Sequence, residues 1–326
     1  MTLVLAYNKL IERFIALVKM YIKDCGMKVA HTVQEVRNWH RDAKGSIGFV
    51  PTMGCLHAGH TSLFEQSMKD NDLTVVSIFV NPSQFGPNED LDQYPRTLSE
   101  DIKLLEELGV DMLFAPKASE IYPQGIPLNV DEQRGPFVSV LGVSEVLEGA
   151  TRPNFFRGVA TVVAKLLNIV APDVAYFGQK DIQQFIVLDT MVRQLFFNVR
   201  LQMMPIKRDS NGLALSSRNK YMSEETLQIA SNIYKGLKRG SRKVLESNGI
   251  IGRDAVDAEI RQVWQPYVSS GDFEIDYLSI ADFQTLKEVS SISPAEQQVV
   301  ISCAIYVKDR RDKNVKVRLI DNILLG

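Results

Sequence analysis

Residues 49–60 read FVPTMGCLHAGH, and the expected fold is organised around this stretch. The apolar run at 47–50 predicts a strand that is closed by Pro51. Two glycines loosen the turn that follows, and residues 61–68 predict a helix. A strand that ends at such a turn and opens a helix is a common phosphate site, because backbone N–H groups and the helix dipole favour an anion there.

The turn carries two histidines. His57 and His60 are three residues apart, so their rings are expected on one side of the first helical turn. Their ring N–H groups can donate to phosphate oxygens, and a protonated ring would offset negative charge that develops there. Gly59 lets a planar ligand such as a nucleotide base approach the backbone. On spacing alone a metal-binding pair or two ordinary polar residues stay open, although no acidic or cysteine-rich cluster adjoins them.

The composition is that of a globular protein. Hydrophobic residues make up 45% and charged residues 23% of the 326 residues, which argues against a disordered chain. A net charge of −2 and a pI near 6.2 give no electrostatic reason to expect nucleic acid as the main partner. Cys25, Cys55 and Cys303 are widely spaced without a CxxC pair, so we expect free thiols and a cytoplasmic location.

Residues 1–26 form a separate apolar segment. Charged residues at 9, 12, 13 and 19 interrupt it, so it is not expected to span a membrane. It also lacks the basic start and the cleavage site of a secretion signal. Apolar residues at 3, 7, 10, 14, 18 and 22 fit an amphipathic helix, and the segment is either an extension or the product of an upstream start codon.

From residue 29 onward short apolar runs alternate with helical stretches. Strands are predicted at 47–50, 73–80, 110–115, 174–177 and 199–203. Helices are predicted at 32–41, 61–68, 98–108, 158–170 and 181–195. Thr97 and Glu100 have capping-box spacing, with Gly109 as the stop of that helix. The alternation predicts an α/β fold with a doubly wound, Rossmann-like parallel sheet, whose ligands lie at the carboxyl ends of the strands.

The pattern changes beyond residue 206. Helices are predicted at 224–246, which Ser223 would cap, and at 253–268, followed by strands at 273–280, 298–307 and 315–324. This order predicts a smaller α+β domain that lids the site, so the expected segments are 1–26, 27–206 and 207–326. Residues 123–142 predict a flexible loop or lid, and 308–314 an enlarged hairpin loop.

The stretch PTMGCLHAGH resembles the HxGH signature of the nucleotidyltransferase superfamily, and its Pro-Thr-Met-Gly lead is similar to the pantothenate synthetase (pantoate–β-alanine ligase) family. Further blocks extend the resemblance from about residue 27 to the C-terminus: NPSQFG at 81–86, YPRT at 94–97, LEGATRPNFFRG at 147–158, FGQKDIQQ at 177–184, LALSSRN at 213–219 and RLIDN at 318–322. Taken singly, several blocks fit an ordinary turn, a surface Lys–Asp pair or a linker. Their order favours a ligand-binding role.

The resemblance implies roles for particular residues. It implies His57, His60 and Lys180 as catalytic residues, Gln84 and Gln184 at the pantoate site, and Gln84 also at the β-alanine site. Asp101 is implied to reach ATP-bound Mg²⁺ through water, and a surface carboxylate on a helix is the alternative. Contacts with ATP are implied for Met53, Gly54, Cys55, Leu56, His57, Ala58, Gly59, His60, Gly178, Gln179, Lys180, Asp181, Lys207, Leu215, Ser216, Ser217 and Arg218.

The implied reaction has two steps. Pantoate carboxylate attacks the α-phosphorus of Mg·ATP to give pantoyl-adenylate and pyrophosphate, and β-alanine then attacks the adenylate to release AMP and pantothenate. The implied partners are these small molecules and a second copy in a homodimer, with no nucleic acid and no membrane. An adenylyltransferase that keeps the nucleotide on its product and a non-catalytic nucleotide-binding regulator are the alternatives, and the full set of blocks favours neither.

Some residues depart from the family pattern or have two interpretations. Asn154 and Phe155 stand where the family has Gly and His, so any role of that histidine is in doubt. Val162 and Val163 match a family dimer-interface position, but an ordinary core helix fits equally well. Cys55 is expected to be a packing residue, because the reaction needs no covalent nucleophile.

Overall fold

The computed structural model describes residues 26–86, 91–92, 94–247 and 249–326. Its parallel sheet contains β1 (Lys28–Ala30), β2 (Ile47–Thr52), β3 (Leu73–Ile78), β4 (Met112–Phe114), β5 (Val174–Gly178) and β6 (Arg200–Met204). The accompanying helices are α1 (Val33–Asp42), α2 (Ala58–Asp70), α3 (Leu98–Leu108), α4 (Ala118–Ile121), α5 (Glu148–Thr151), α6 (Phe155–Val170) and α7 (Ile182–Gln194). The predicted α/β class is confirmed.

Both faces of the sheet are buried. Phe49 packs in a cluster with residues of α6 and α7, while its neighbour Val50 packs in a second cluster with residues of α2 and α3. Adjacent strand residues point to opposite faces, so apolar residues are needed at both. This is why the strands read as continuous apolar runs in the sequence.

The crevice of the fold lies between β2 and β5. The strand order is β1-β4-β3-β2-β5-β6, so the order reverses beside β2. These two strands pair only at Gly48 and Phe49 and are unpaired with each other toward their carboxyl ends. Ligands of doubly wound sheets bind at such a switch point. The two strongest sequence blocks, HAGH and FGQKD, begin there.

Several predicted boundaries are wrong for local reasons. Strand β2 continues through Pro51, because beyond Phe49 it pairs only with β3 and the missing N–H needs no partner on the other side. Helix α2 begins three residues earlier than predicted, since His57 caps it. Helix α6 likewise begins at Phe155 rather than at residue 158.

The capping predictions had mixed outcomes. Gly109 ends α3 with φ 81°, as expected. The capping box is absent, however, because the Thr97 hydroxyl donates to the Asp101 carboxylate (3.1 Å). Ser223 stands at the start of its helix, but its hydroxyl pairs with that of Thr226 (3.0 Å).

The C-terminal part is the predicted smaller α+β domain. Its elements are α8 (Glu224–Ala230), α9 (Asn232–Glu246), β7 (Ile251–Gly252), α10 (Arg253–Ser269), β8 (Phe273–Asp282), β9 (Ser291–Ile292), β10 (Val299–Lys308) and β11 (Lys316–Leu325). Strands β11, β10 and β8 form an antiparallel sheet, and α9 and α10 cover it around buried Trp264. One helix was predicted where α8 and α9 lie, but Ser231 interrupts it and its hydroxyl donates to the Gln228 carbonyl (2.7 Å).

The domain boundary stays a prediction. We propose that it lies near residue 206, because one hydrophobic cluster is confined to residues between 213 and 325. A few residues of the smaller domain, including Leu286 and Val300, pack in the cluster of the larger one. The helix expected in residues 1–26 lies, up to residue 25, outside the described residues, as does Cys25.

Two expectations concern flexible or exposed segments. Residues 123–142 contain only a short 3-10 turn, as a loop should, but Arg157 on α6 donates to Gln133 (2.6 Å) and Val140 is buried. The stretch is therefore packed rather than free. Val162 and Val163 are each 5% exposed in the single chain, so they pack in its core, as the second interpretation expected.

Candidate active site

The HAGH turn fixes the orientation of both histidine rings. The Gly59 N–H donates to Nδ1 of His57 (3.1 Å), and the His57 N–H donates to Nδ1 of His60 (3.3 Å). An Nδ1 atom that accepts a hydrogen bond carries no proton, so each neutral ring carries it on Nε2. The ring centroids are 4.1 Å apart. A side chain at Gly59 would lie 2.8 Å from the His57 ring, so only glycine fits there.

Both rings are neutral at pH 7. Burial, then the nearby His57 and Lys180, lowers the pKa of His60 to about 3. Burial, then the positive charges of Lys180 and Lys220, lowers the pKa of His57. Of the two possibilities that the sequence left open, a neutral or a protonated ring, the structure favours two neutral Nε2–H donors.

We predict that His60 stays in the neutral Nε2–H form down to pH 5. Its pKa is about 3, well below the ordinary value of 6.5, so protonation would require the loss of its buried position. The unfolded chain would bind that proton below pH 6.5, so this ring lowers stability as the pH falls from 6.5 toward 3. Nitrogen NMR of the imidazole from pH 8 to 5 checks the prediction, and a His60 ring that titrates near 6.5 would contradict it.

Asp101 holds the HAGH turn in place. Its carboxylate is 3% exposed and accepts the N–H groups of Cys55 (3.0 Å) and Leu56 (2.9 Å). Gly54 and Cys55 have φ of 84° and 53°, a strained turn that these bonds stabilise. Asp101 is not among the residues that line the cavity described below. In this structure Asp101 therefore has a structural role, and the contact with Mg²⁺ that the resemblance implies stays a prediction.

The FGQKD block forms the second wall of the crevice. Strand β5 ends at Gly178, and the following turn presents Lys180, whose Nζ lies 3.7 Å from Asp181 Oδ1. Asn322 on β11 donates to the carbonyls of Gln179 (2.9 Å) and Lys180 (3.1 Å). The Gln179 side chain donates back to Asn322 (3.0 Å). The Gln179 side chain thus fastens the smaller domain to this turn, and the ATP contact that the resemblance implies for Gln179 stays a prediction.

The SSRN segment approaches from the smaller domain. Ser216 caps the short 3-10 turn Ser217–Tyr221, and its hydroxyl accepts the N–H of Arg218 (3.3 Å). The Leu215 N–H donates to the carbonyl of Lys207 (2.9 Å), which holds these two residues side by side. Hydroxyls and a guanidinium in one loop suit phosphate oxygens.

The HAGH turn, the FGQKD block and the SSRN segment together enclose a cavity of about 740 Å³. The predicted site residues that line it are Met53, His57, Gly59, His60, Gln84, Gly178, Lys180, Asp181, Gln184, Lys207, Leu215, Ser216, Ser217 and Arg218. The predicted residues that do not line it are Gly54, Cys55, Leu56, Ala58, Gln179 and Asp101. Cys55 is buried, in agreement with its expected packing role.

Asn81 belongs to the NPSQFG block, but the sequence predicted no role for it. It is 1% exposed, and its amide donates to Gln84 Oε1 (3.1 Å) and to the carbonyl of Gly158 (3.1 Å). Gln84 in turn points its amide at the sulfur of Met53 (3.0 Å). Asn81 therefore orients Gln84 toward the HAGH turn. The Asn–Gln spacing in NPSQFG was the available signal.

A charged network at the cavity wall was also missed. Glu148 pairs with Arg152 (3.4 Å) and with Arg318 from β11, and Arg318 also pairs with Asp276 (2.6 Å). The Thr151 hydroxyl donates to Asp276 as well (3.2 Å). This network joins the two domains beside the site. Its parts lie far apart in sequence, so only the fold could bring them together.

The backbone conformation at residue 154 explains why asparagine can replace the glycine of the family pattern. The backbone of Asn154 is left-handed, with φ 68° and ψ −4°, which suits glycine best and asparagine next. The adjacent Phe155 lines the cavity, and the guanidinium of Arg152 stacks 4.0 Å above its ring. The backbone of the motif is therefore kept, while the histidine is replaced by an aromatic partner for Arg152.

We predict that Asn154→Ala destabilises the protein by about 1 kcal/mol, because alanine pays the left-handed penalty without local compensation. Asn154→Gly should be close to neutral at the same position. Urea unfolding of the two variants beside the parent chain measures the difference. Equal destabilisation by both would show that the Asn154 side chain, rather than its backbone angle, matters.

Comparison with known proteins decides the family. The family described as pantoate–beta-alanine ligase matches residues 28–324 of the chain. The chain belongs to the pantoate–β-alanine ligase family. It is 62% identical to the pantoate–beta-alanine ligase of Saccharomyces cerevisiae, over 92% of this chain and all of the yeast protein. It is 44% identical to the pantothenate synthetase of Fervidobacterium nodosum, with the same coverage of 92% and 100%.

Solved structures of the family share the fold. The pantothenate synthetase of Thermus thermophilus superposes with a TM-score of 0.77 at 40% identity, over 91% of this chain and 99% of that one. The pantoate–beta-alanine ligase of Francisella tularensis, complexed with beta-gamma ATP and beta-alanine, gives 0.69 at 32% identity, over 91% and 97%. As a pantoate–β-alanine ligase the chain is an enzyme that forms an amide bond. No helix among its described residues is long and apolar enough to cross a membrane.

Proposed function

We propose that this chain makes pantothenate from pantoate, β-alanine and ATP in the cavity between its domains, through a pantoyl-adenylate. The observation that carries the proposal is the convergence on one cavity of three elements whose chemistry suits phosphate: the histidine pair, Lys180 and the Ser216–Arg218 loop. They come from different parts of the chain and from both domains. The ATP and β-alanine complex of the Francisella relative supports the same ligands here.

The first step places negative charge on the α-phosphate and on the departing pyrophosphate. His57 and His60 contribute neutral Nε2–H donors, and Lys180 contributes a positive charge close enough to lower the pKa of both rings. Arg218 supplies a second fixed cation with a planar donor geometry. Groups that are already oriented stabilise developing charge without further reorganisation. We therefore assign phosphate binding and transition-state stabilisation to this side of the cavity.

Pantoate is proposed to lie beside Gln84 and Gln184, which both line the cavity. An amide donates and accepts, so it can hold a carboxylate and hydroxyl groups without adding charge. The side-chain amide of Asn81 donates to Oε1 of Gln84, which limits the rotamers of Gln84 and keeps its amide oriented toward the cavity. Gln84 is also the residue that we propose to meet incoming β-alanine, because it lies between the HAGH turn and Arg152, whose guanidinium donates to the backbone carbonyl of Gln84 (3.4 Å).

Magnesium is proposed to enter with ATP. Among the described residues no group of three or more His, Cys, Asp or Glu side chains is placed to hold a metal ion. Phosphate oxygens and water would therefore supply most of its ligands, as Mg²⁺ favours. Asp181 lines the cavity next to Lys180 and is the carboxylate that we propose to face the ion.

Two further expectations remain proposals. A cytoplasmic location is supported by Cys55 and Cys303, which are free and buried. A homodimer is proposed from the family resemblance alone, since Val162 and Val163 lie in the core.

Product analysis tests the proposed function. The purified chain is incubated with ATP, Mg²⁺, pantoate and β-alanine, and nucleotide and amide products are quantified. We expect one AMP and one pyrophosphate for each pantothenate formed. Retention of AMP on the product, or release of ADP and phosphate, would contradict the proposal.

A further inference from the structure

Lys220 is a cation beside the HAGH turn. The sequence predicted no role for this lysine. It lies in the 3-10 turn Ser217–Tyr221 of the smaller domain, between the cavity-lining residues Arg218 and Tyr221. Its Nζ reaches across to the larger domain and donates to the sulfur of Cys55 (3.5 Å). Lys220 thus connects the SSRN turn with the HAGH turn.

The ammonium of Lys220 has no carboxylate partner among the described residues. Lysines at other positions do have one, for example Lys243 with Glu259 (3.5 Å) and Lys316 with Glu274 (2.8 Å). A thiol is a weak hydrogen-bond acceptor and does not neutralise the charge. The charge of Lys220 also acts on the site itself, since after burial and Lys180 it helps to lower the pKa of His57.

We propose that Lys220 binds the pyrophosphate portion of ATP and stabilises it as it departs. The inference rests on the proposed function, in which that group gains charge in the first step. The stem of Lys220 is long and flexible, so its ammonium can exchange the contact with the thiol beside the HAGH turn for a contact with phosphate oxygens. Lys220 would then join Lys180 and Arg218 as a third cation around the phosphates.

The test compares Lys220→Met, which removes the charge, with Lys220→Arg, which keeps it. Lys238→Met is the matched control, because Lys238, like Lys220, is exposed and does not line the cavity, but it lies on α9 rather than on the SSRN turn. For each purified variant we would measure the KM for ATP and the inhibition of the forward reaction by pyrophosphate and by AMP. Circular dichroism melting in the absence of ligands establishes that each variant is folded.

We expect Lys220→Met to weaken inhibition by pyrophosphate by about tenfold or more, the scale of one lost hydrogen bond to a charged group, while inhibition by AMP stays unchanged. Lys220→Arg should restore most of the effect, and Lys238→Met should match the parent chain. Unchanged pyrophosphate inhibition in folded Lys220→Met would overturn the inference. So would an equal loss for pyrophosphate and AMP, which would indicate a displaced loop. A parent chain that makes no pantothenate would instead refute the proposed function.

Discussion

Replacing His60 with asparagine is expected to lower the rate of adenylate formation by about 10²-fold or more, the usual scale for one preorganised donor to a charged transition state. The asparagine carbonyl can still accept the His57 N–H, as Nδ1 does in the parent chain (3.3 Å), so the capped turn is kept. What the variant loses is the Nε2–H donor. Single-turnover measurement of adenylate formed from ATP and pantoate gives the rate.

His60→Gln is the matched control for that prediction. The longer amide places an N–H group near the position of the ring Nε2, so part of the activity should return. Both variants should melt near the parent temperature. A folded His60→Asn variant with the parent rate would remove His60 from the mechanism.

Lys180→Met is expected to lower the same rate by about 10²-fold or more, because it removes a positive charge that would stabilise the developing phosphate charge. The same charge acts electrostatically on both histidine rings. The variant carries a second, independent readout. Lys180 is one of the causes that lower the pKa of His57, after burial, so that pKa should rise when the charge is lost.

Kinetics and imidazole NMR of the same protein check both effects, with Lys180→Arg as the variant that keeps the charge. The arginine variant should leave the pKa of His57 low. It should recover only part of the rate, since a guanidinium has a different shape from an ammonium. A parent-like rate in folded Lys180→Met would contradict the assignment, whatever happens to the pKa.

Most of the parallel-sheet domain was predictable because its strands are buried on both faces. A run such as residues 73–80 can hardly be anything but a central strand between flanking helices, and β3 (Leu73–Ile78) occupies most of it. Boundaries were less predictable where one side chain decides them. His57 starts α2 early by capping it, and Ser231 breaks the long helix of the smaller domain.

Local motifs identified the site residues but not their chemistry. The spacing of His57 and His60 indicated a shared face, yet it could not show that each Nδ1 accepts a backbone N–H or that burial keeps the rings neutral. The sequence also could not show how Asp101 is held in the fold. Its actual partners, two N–H groups 45 and 46 residues away in the chain, depend on tertiary packing.

Contacts between the domains were beyond the reach of sequence reasoning. Asn322 secures the Lys180 turn from a strand 142 residues further along the chain. Arg318 reaches Glu148 over a separation of 170 residues. No spacing rule covers such distances. The same holds for Lys220, whose contact with Cys55 spans 165 residues.

The most direct test of the account is isotope exchange between pyrophosphate and ATP. Enzyme, Mg²⁺, ATP and labelled pyrophosphate are incubated with pantoate but without β-alanine. If the cavity activates pantoate as an adenylate, label should appear in ATP, and adding β-alanine should divert the adenylate into pantothenate and AMP. Exchange that requires β-alanine, or label that never enters ATP in an enzyme that makes pantothenate, would contradict the acyl-adenylate mechanism.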